Sequence, residues 1–262
     1  MGYPVRKVST NSANVQNIDR IYALSKRNVI LRYKNSFAGF LWGFFKPLLY
    51  LLIFTVIFKQ RSGIDNYVLY ATSGLIFWFF FSNSTSQSVS SIIGSAGLLK
   101  ALNIPSYFFP LSEVLGELFN LLLTLIVFLI IMHWGGLVYD LRLLLIVPCV
   151  AMFAIFVYGL NLLLCSMNVF FRDIGIIWGT IQPALFFLTP IAIPETDIPT
   201  EYRTIIVNNP IYFFIRLGRG IFYNPEPPSS QLWISCAIIA LSMFLVGQFV
   251  FNRLKNQFIS AI

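Results

Sequence analysis

The stretch Leu164-Cys165-Ser166-Met167-Asn168-Val169-Phe170-Phe171-Arg172-Asp173-Ile174-Gly175 sets an Arg–Asp pair between two long apolar runs. A charge at the centre of a membrane-spanning helix costs roughly 2.5–3.5 kcal/mol on insertion scales, so such residues sit at a boundary or in a site. The stretch reads as a short elbow between two spans, with Arg172 and Asp173 on the cytoplasmic side. Working outward from it, the chain is a polytopic membrane protein.

Composition leads to the same class. Of 262 residues, 57% are hydrophobic, 17% aromatic and only 11% charged, and the mean hydropathy is +0.77; an ordinary soluble globule does not have this balance. The net charge of +8 lies largely beside apolar runs, where it signals topology and anionic lipid rather than nucleic acid. Cys149, Cys165 and Cys236 all fall inside apolar runs with no metal-ligand spacing, so they read as packing residues and no metal site is expected. The polar first 36 residues do not read as a cleavable signal peptide.

A span needs about 20 mainly apolar residues. Six stretches come close: Phe37–Phe58, Tyr67–Ala96, Phe108–Trp134, Leu141–Asn168, Ile174–Ile193 and Leu232–Phe251. Arg6, Lys7, Arg20, Lys26, Arg27, Arg32 and Lys34 precede the first, with Asp19 the single acid there, and Arg253 and Lys255 follow the last. Positive residues mark the cytoplasmic side, so both termini are predicted to be cytoplasmic. The expected fold is an all-α integral membrane protein with six transmembrane helices, an N-terminal amphipathic interface helix and short re-entrant outer helices. It forms one domain: residues 1–36 the cytoplasmic N-terminus, 37–193 spans one to five, 194–231 an outer segment, and 232–262 span six with the tail.

The interface helix is predicted over Ile18–Lys34, where Ile18, Ile21, Tyr22, Leu24, Val29 and Ile30 interleave with five basic residues. The re-entrant pieces fall in Thr189–Phe222, where TPIAIP and NNPIYFFIRLGRGIF flank a polar bend. Neither can span alone, and such backbone is tolerated in a membrane when protein covers it.

Catalytic signatures are sparse, and no catalytic residue is assigned. No G-x-x-x-x-G-K-[ST] loop occurs, so this chain does not hydrolyse ATP in the Walker manner. The single histidine, His133, reads as an interface residue beside Trp134. Glu113 and Glu117, four residues apart, share a helix face near the start of span three. They are candidates for acid–base work, for proton coupling, or for a plainer role as entrance acids paired with Lys46 or the basic helix. Aromatics are the richer signal. Trp42, Phe45, Tyr70, Phe77, Trp78 and Phe81 precede a run, Ser82–Ser91, that is polar everywhere but Val89. Such a run in a spanning helix calls for water, sugar or another helix beside it. With the rings, Asn83, Ser84 and Gln87 make a candidate carbohydrate path.

Taken together, these features resemble the ABC-2 family of transporter permeases, in particular its polysaccharide-export branch. The resemblance covers nearly the whole chain. It is carried by the basic entry helix with Arg32-Tyr33-Lys34-Asn35-Ser36-Phe37-Ala38-Gly39-Phe40-Leu41-Trp42, by Lys46-Pro47-Leu48, by Leu99-Lys100-Ala101-Leu102-Asn103-Ile104-Pro105, by the Asn168–Gly175 elbow, and by Asn208-Asn209-Pro210.

The resemblance implies a homodimer of this chain with two copies of a separate ATPase that binds ATP and Mg, and no cofactor in this chain. It implies a multi-pass protein of the bacterial inner membrane. ATPase movement would reach it through Leu98, Leu99, Lys100, Asn103 and Ile104 and through Val169, Phe170, Phe171, Arg172 and Asp173. The cargo would be polysaccharide on an undecaprenyl diphosphate carrier, its head group gathered by Arg20, Lys26, Arg27, Arg32 and Lys34. Short outer gate helices would include Pro190, Pro194, Asn209, Pro210, Tyr212 and Arg216. Alternative cargoes are capsule, teichoic acid, or another lipid or drug. Other classes remain open: a membrane-embedded glycosyltransferase or acyltransferase, which would need more clustered acids, and a secondary transporter, which predicts related halves.

Overall fold

A computed structural model describes residues 19–28, 30, 42–58, 64, 66–101, 104–134, 140–222 and 227–262. Arg32, Lys34 and Asn103 lie outside these residues, as do the side chains of Trp42 and Lys46. Among the described residues every regular element is helical. Helix α1 covers residues 19–28. It is followed by α2 (Trp42–Phe58), α3 (Tyr67–Val89), α4 (Ser91–Gly94), α5 (Ala96–Ala101) and α6 (Phe108–Trp134). A 3-10 turn at Leu141–Leu145 leads into α7 (Ile146–Phe170) and α8 (Asp173–Phe187), then α9 (Thr200–Val207), α10 (Pro210–Phe222), α11 (Ser230–Leu254) and α12 (Phe258–Ala261).

Three helical stretches, Phe108–His133, Leu141–Phe170 and Ser230–Ala261, are long and apolar enough to cross a membrane, which makes this a multi-pass membrane protein. The other three expected spans are different. Helix α3 is 23 residues long, about 35 Å at 1.5 Å per residue, but its second half is polar. The apolar parts of α2 and α8, Pro47–Phe58 and Asp173–Phe187, are shorter. Span two was expected to run to Ala96, yet α3 stops at Val89 and the chain turns through Ser90. Span five was expected to run to Ile193, yet α8 stops at Phe187. Pro190 and Pro194 follow, and proline disfavours helix in the residue before it.

Helices α7 and α11 form the most extensive pair, and glycine sets how closely they cross. A Cβ on Gly247 would lie 1.9 Å from the Gly159 carbonyl oxygen, and one on Gly159 would lie 2.5 Å from the Phe244 Cα. Small residues at such a crossing let backbones touch, which is how helices associate where lipid removes the hydrophobic driving force. Helix α10 is buried against α3, α7 and α11. Its Gly218 leaves room for the Phe77 ring, which a Cβ there would meet at 2.3 Å.

Two apolar clusters result. The larger joins α3, α6, α7 and α10 around Phe77, Phe153 and Phe214. The smaller gathers Leu24 of α1, Leu99 of α5, Phe108 and Phe109 of α6, Val169 at the end of α7, and Phe258 of α12. These segments are distant in sequence. One end of the bundle is thus built from α1, α5 with Ile104, the elbow and the C-terminal tail.

Candidate functional site

The polar half of α3 lies between α7 and α8. Gln182 of α8 donates to the Ser82 carbonyl at 2.8 Å and to Thr85 Oγ1 at 3.0 Å, and its Oε1 accepts from Ser86 at 2.9 Å. Asn161 of α7 donates to Ser84 Oγ at 3.0 Å. Much of the run is therefore interhelical glue, with another helix as its neighbour. Of the predicted sugar-path residues, Phe77, Phe81 and Ser84 are buried in helix packing, Asn83 is half-buried, and Gln87 and Phe45 are exposed.

Beside the glue lies a hollow of about 280 Å³, walled by Tyr50, Trp78, Ser82, Gln182, Phe186 and Phe187. Its rings meet edge-on, Trp78 with Phe186 at 5.2 Å between centroids and Tyr50 with Phe186 at 5.9 Å. Aromatic faces next to hydroxyl and amide groups suit an amphipathic ligand such as a sugar. Trp78 is the predicted residue that reaches it. Tyr50, Gln182 and Phe186 were missed, because nothing in their local sequence indicates that α2, α3 and α8 converge.

The 189–195 segment and α10 form a second locus. The Arg219 guanidinium is buried and donates to the carbonyls of Pro190 and Ile191, both at 2.6 Å, and to Tyr70 Oη at 2.9 Å, while stacking 3.7 Å from the Tyr70 ring centroid. Charge-assisted bonds and the ring face compensate for a cation out of water. Its Nε has no hydrogen-bond partner among the described residues. Gly74 makes the space, since a Cβ there would lie 2.8 Å from Arg219 Nη2. Tyr67 adds a bond to the Ala192 carbonyl at 2.9 Å.

All six predicted outer residues meet around this segment. Asn209 caps α10, accepting from the Ile211 amide at 3.0 Å and donating to Thr189 Oγ1 at 2.9 Å; Pro210 fills the first helical position, where no amide hydrogen is needed. Pro190 supplies a carbonyl to Arg219, and Pro194 precedes the Glu195–Asp197 turn. Tyr212 donates to Glu195 Oε1, which also lies 3.7 Å from the exposed Arg216 Nε. Sequence reasoning selected Arg216 and missed Arg219. The available signal was Gly218-Arg219-Gly220: small residues on both sides of a charge within an apolar run.

The third locus is the smaller apolar cluster. Asn168 donates to the Val89 carbonyl at 2.9 Å and accepts from the Gly175 amide at 3.0 Å, tying the ends of α3, α7 and α8 together. Val169 and Leu99 are buried in the cluster, and Phe170, Leu98 and Ile104 pack against it. Phe171, Arg172, Asp173 and Lys100 are exposed at its edge, with Asp173 in the first turn of α8, where a negative charge suits the helix dipole. Helix α12 was not foreseen here: Phe258 is fully buried, its ring 6.1 Å from Phe170 and 5.4 Å from Phe251.

One acid of α6 holds α1 through an amide. Asn28 donates to Glu113 Oε1 at 2.8 Å and to Ser112 Oγ at 3.0 Å. Glu117 is buried and accepts from Asn120 at 3.2 Å. Arg20 and Lys26 of α1 are exposed, and Arg27 is partly exposed.

A helical membrane bundle with a polar helix at its centre, a latched segment at one end and a composite cluster at the other has a family. The chain belongs to the ABC-2 type transporter family, whose model matches residues 19–223. It is 31% identical over 243 residues to an O-antigen export system permease protein of Klebsiella pneumoniae, covering 92% of this chain and 93% of that one. A permease of the same description from Myxococcus xanthus is 27% identical over 248 residues, with coverages of 92% and 95%. A capsule polysaccharide export inner-membrane protein of Neisseria meningitidis serogroup B is 30% identical over 213 residues, with coverages of 79% and 80%.

Proposed function

We propose that this chain is the permease subunit of an ATP-driven exporter of lipid-linked polysaccharide, in the first instance O-antigen on undecaprenyl diphosphate, across the bacterial inner membrane. The observation that carries the coupling part is the cluster shared by α1, α5 with Ile104, the elbow and α12, with Phe171, Arg172, Asp173 and Lys100 exposed at its rim. A force applied there reaches α3 and α8 directly, because Asn168 holds both. ATP and Mg belong to a separate ATPase in this scheme. The names of the O-antigen relatives support the cargo, and those of the capsule relatives support capsule polysaccharide as the second choice.

Two copies of the permease and two of the ATPase make the working unit. Helix α8 supports this, since it is exposed over much of its length except at Gln182, and a Cβ on Gly179 would meet nothing within 4 Å. The hollow at Tyr50, Trp78 and Gln182 borders α8, so sugars would pass where two copies meet, stacking on rings and bonding to Ser82 and Gln182. The 189–195 segment with α9 and α10 is the outer gate, closed by Arg219. Both termini are cytoplasmic, with α1 gathering anionic head groups through Arg20, Lys26, Arg27, Arg32 and Lys34.

Co-purification tests the coupling surface. Phe171→Ala with Arg172→Glu and Lys100→Glu changes exposed side chains, so the folded chain is expected to persist while the co-expressed ATPase no longer accompanies it. Undiminished assembly would remove the rim from the contact.

A further inference from the structure

Helix α1 and helix α6 enclose a groove of about 700 Å³ that lies apart from the Trp78 hollow, the outer segment and the elbow. Its α6 wall is Leu111, Leu115 and Phe119, spaced four residues apart, so it follows one helix face for about 12 Å along the axis. Its other wall includes Ile21, Tyr22 and Lys26 of α1, with Ile30 just after that helix. The groove is long, apolar on both walls, and carries a cation on the α1 side. Asn28 fixes its width by bonding α1 to Ser112 and Glu113.

We infer that this groove binds an anionic phospholipid of the membrane, one acyl chain lying along Leu111, Leu115 and Phe119 and the phosphate meeting Lys26. Shape and charge together identify the occupant. A linear apolar strip on a spanning helix takes an alkyl chain, and an interfacial helix keeps its cations at head-group level. Within residues 19–28, Arg20, Lys26 and Arg27 face a single acid, Asp19, which favours an anionic over a zwitterionic head group. The lipid acts as a wedge that keeps α1 seated on α6. The groove does not border the proposed sugar path, but it shares Lys26 with the head-group role proposed for α1, so the test below sets phospholipid against the undecaprenyl carrier.

Native mass spectrometry of the full chain tests it, with the protein equilibrated in an equimolar mixture of phosphatidylglycerol, phosphatidylethanolamine and undecaprenyl phosphate. The expected result is a phosphatidylglycerol adduct that survives collisional activation. Leu115→Trp, which fills the groove, is expected to remove that adduct. Lys26→Gln, a change at an exposed position that leaves the apolar walls intact, is expected to reduce the preference for phosphatidylglycerol over phosphatidylethanolamine about fivefold. Equal retention of all lipids by the three proteins would overturn the site, and so would undecaprenyl phosphate as the species lost on Leu115→Trp.

Discussion

Asn168 and Gly175 are joined across the elbow by a 3.0 Å hydrogen bond from the Gly175 amide to Asn168 Oδ1, while the Asn168 amide donates to the Val89 carbonyl at 2.9 Å. One side chain thus serves both the end of α3 and the first turn of α8, where the Gly175 amide also reaches the Arg172 carbonyl at 3.2 Å. Replacing it by alanine leaves the Val89 carbonyl without this donor. Asn168→Ala is expected to lower stability by about 1–3 kcal/mol, seen as an earlier thermal unfolding transition in detergent. Hydrogen exchange should rise first around residues 88–91 and 172–176.

Arg219 makes a sharper prediction because its neighbour Arg216 serves as a control. Lysine offers a point charge in place of a planar fork and cannot serve the Pro190 and Ile191 carbonyls in the same way. Arg219→Lys is expected to cost about 2–4 kcal/mol, since hydrogen bonds from a charged group contribute about 1.5–3 kcal/mol each. Proteolysis between residues 189 and 199 should accelerate. Arg216→Met removes an exposed pair and should stay within about 0.5 kcal/mol of the parent.

Glycine substitutions separate packing within the chain from contact between copies. Gly247→Ala forces a Cβ onto the Gly159 carbonyl and is expected to abolish a monodisperse peak in size-exclusion chromatography. A Cβ on Gly179 meets nothing within 4 Å, so Gly179→Leu is expected to retain the monomer fold while dimerisation and export are lost. A dimeric, export-competent Gly179→Leu protein would move the copy–copy interface away from α8.

Gln182→Leu removes the link between α8 and α3. Interhelical hydrogen bonds in membranes average about 0.6 kcal/mol and reach about 1.7. Two donated bonds and one accepted bond predict a loss of about 1–3 kcal/mol, and the Trp78 fluorescence spectrum should shift as the hollow loosens. An unchanged spectrum with unchanged stability would show that α8 is not held by this residue.

The elbow and the outer segment were legible because breakers and charges interrupt apolar runs: Arg172-Asp173 in one place, the prolines of 189–210 in the other. The clustering of α1 with α5 was legible only as family resemblance, and α12 was not, since Phe258 carries no local sign of the pocket it fills. The polar run Ser82–Ser91 was recognised as needing a neighbour, yet the sequence offered water, sugar or helix alike. The structure supplies α7 and α8 through Asn161 and Gln182. Span ends were misjudged at Ala96, because helical turns resume after Ser90, and at Ile193, because apolar composition continues past α8. Distant residues hold both ends: Asn168 takes the carbonyl of Val89, the last residue of α3, and Arg219 takes those of Pro190 and Ile191 beyond α8.

The central claim is that this chain moves lipid-linked polysaccharide when a partner hydrolyses ATP. The direct measurement is made in inverted membrane vesicles containing the chain and the ATPase, loaded with radiolabelled undecaprenyl diphosphate-linked O-antigen, by following protection of the sugar from an externally added glycosidase. Protection that grows with time, requires ATP and both subunits, and disappears with the Phe171, Arg172 and Lys100 substitutions is the predicted result. Protection that develops equally without ATP or without this chain would contradict the account.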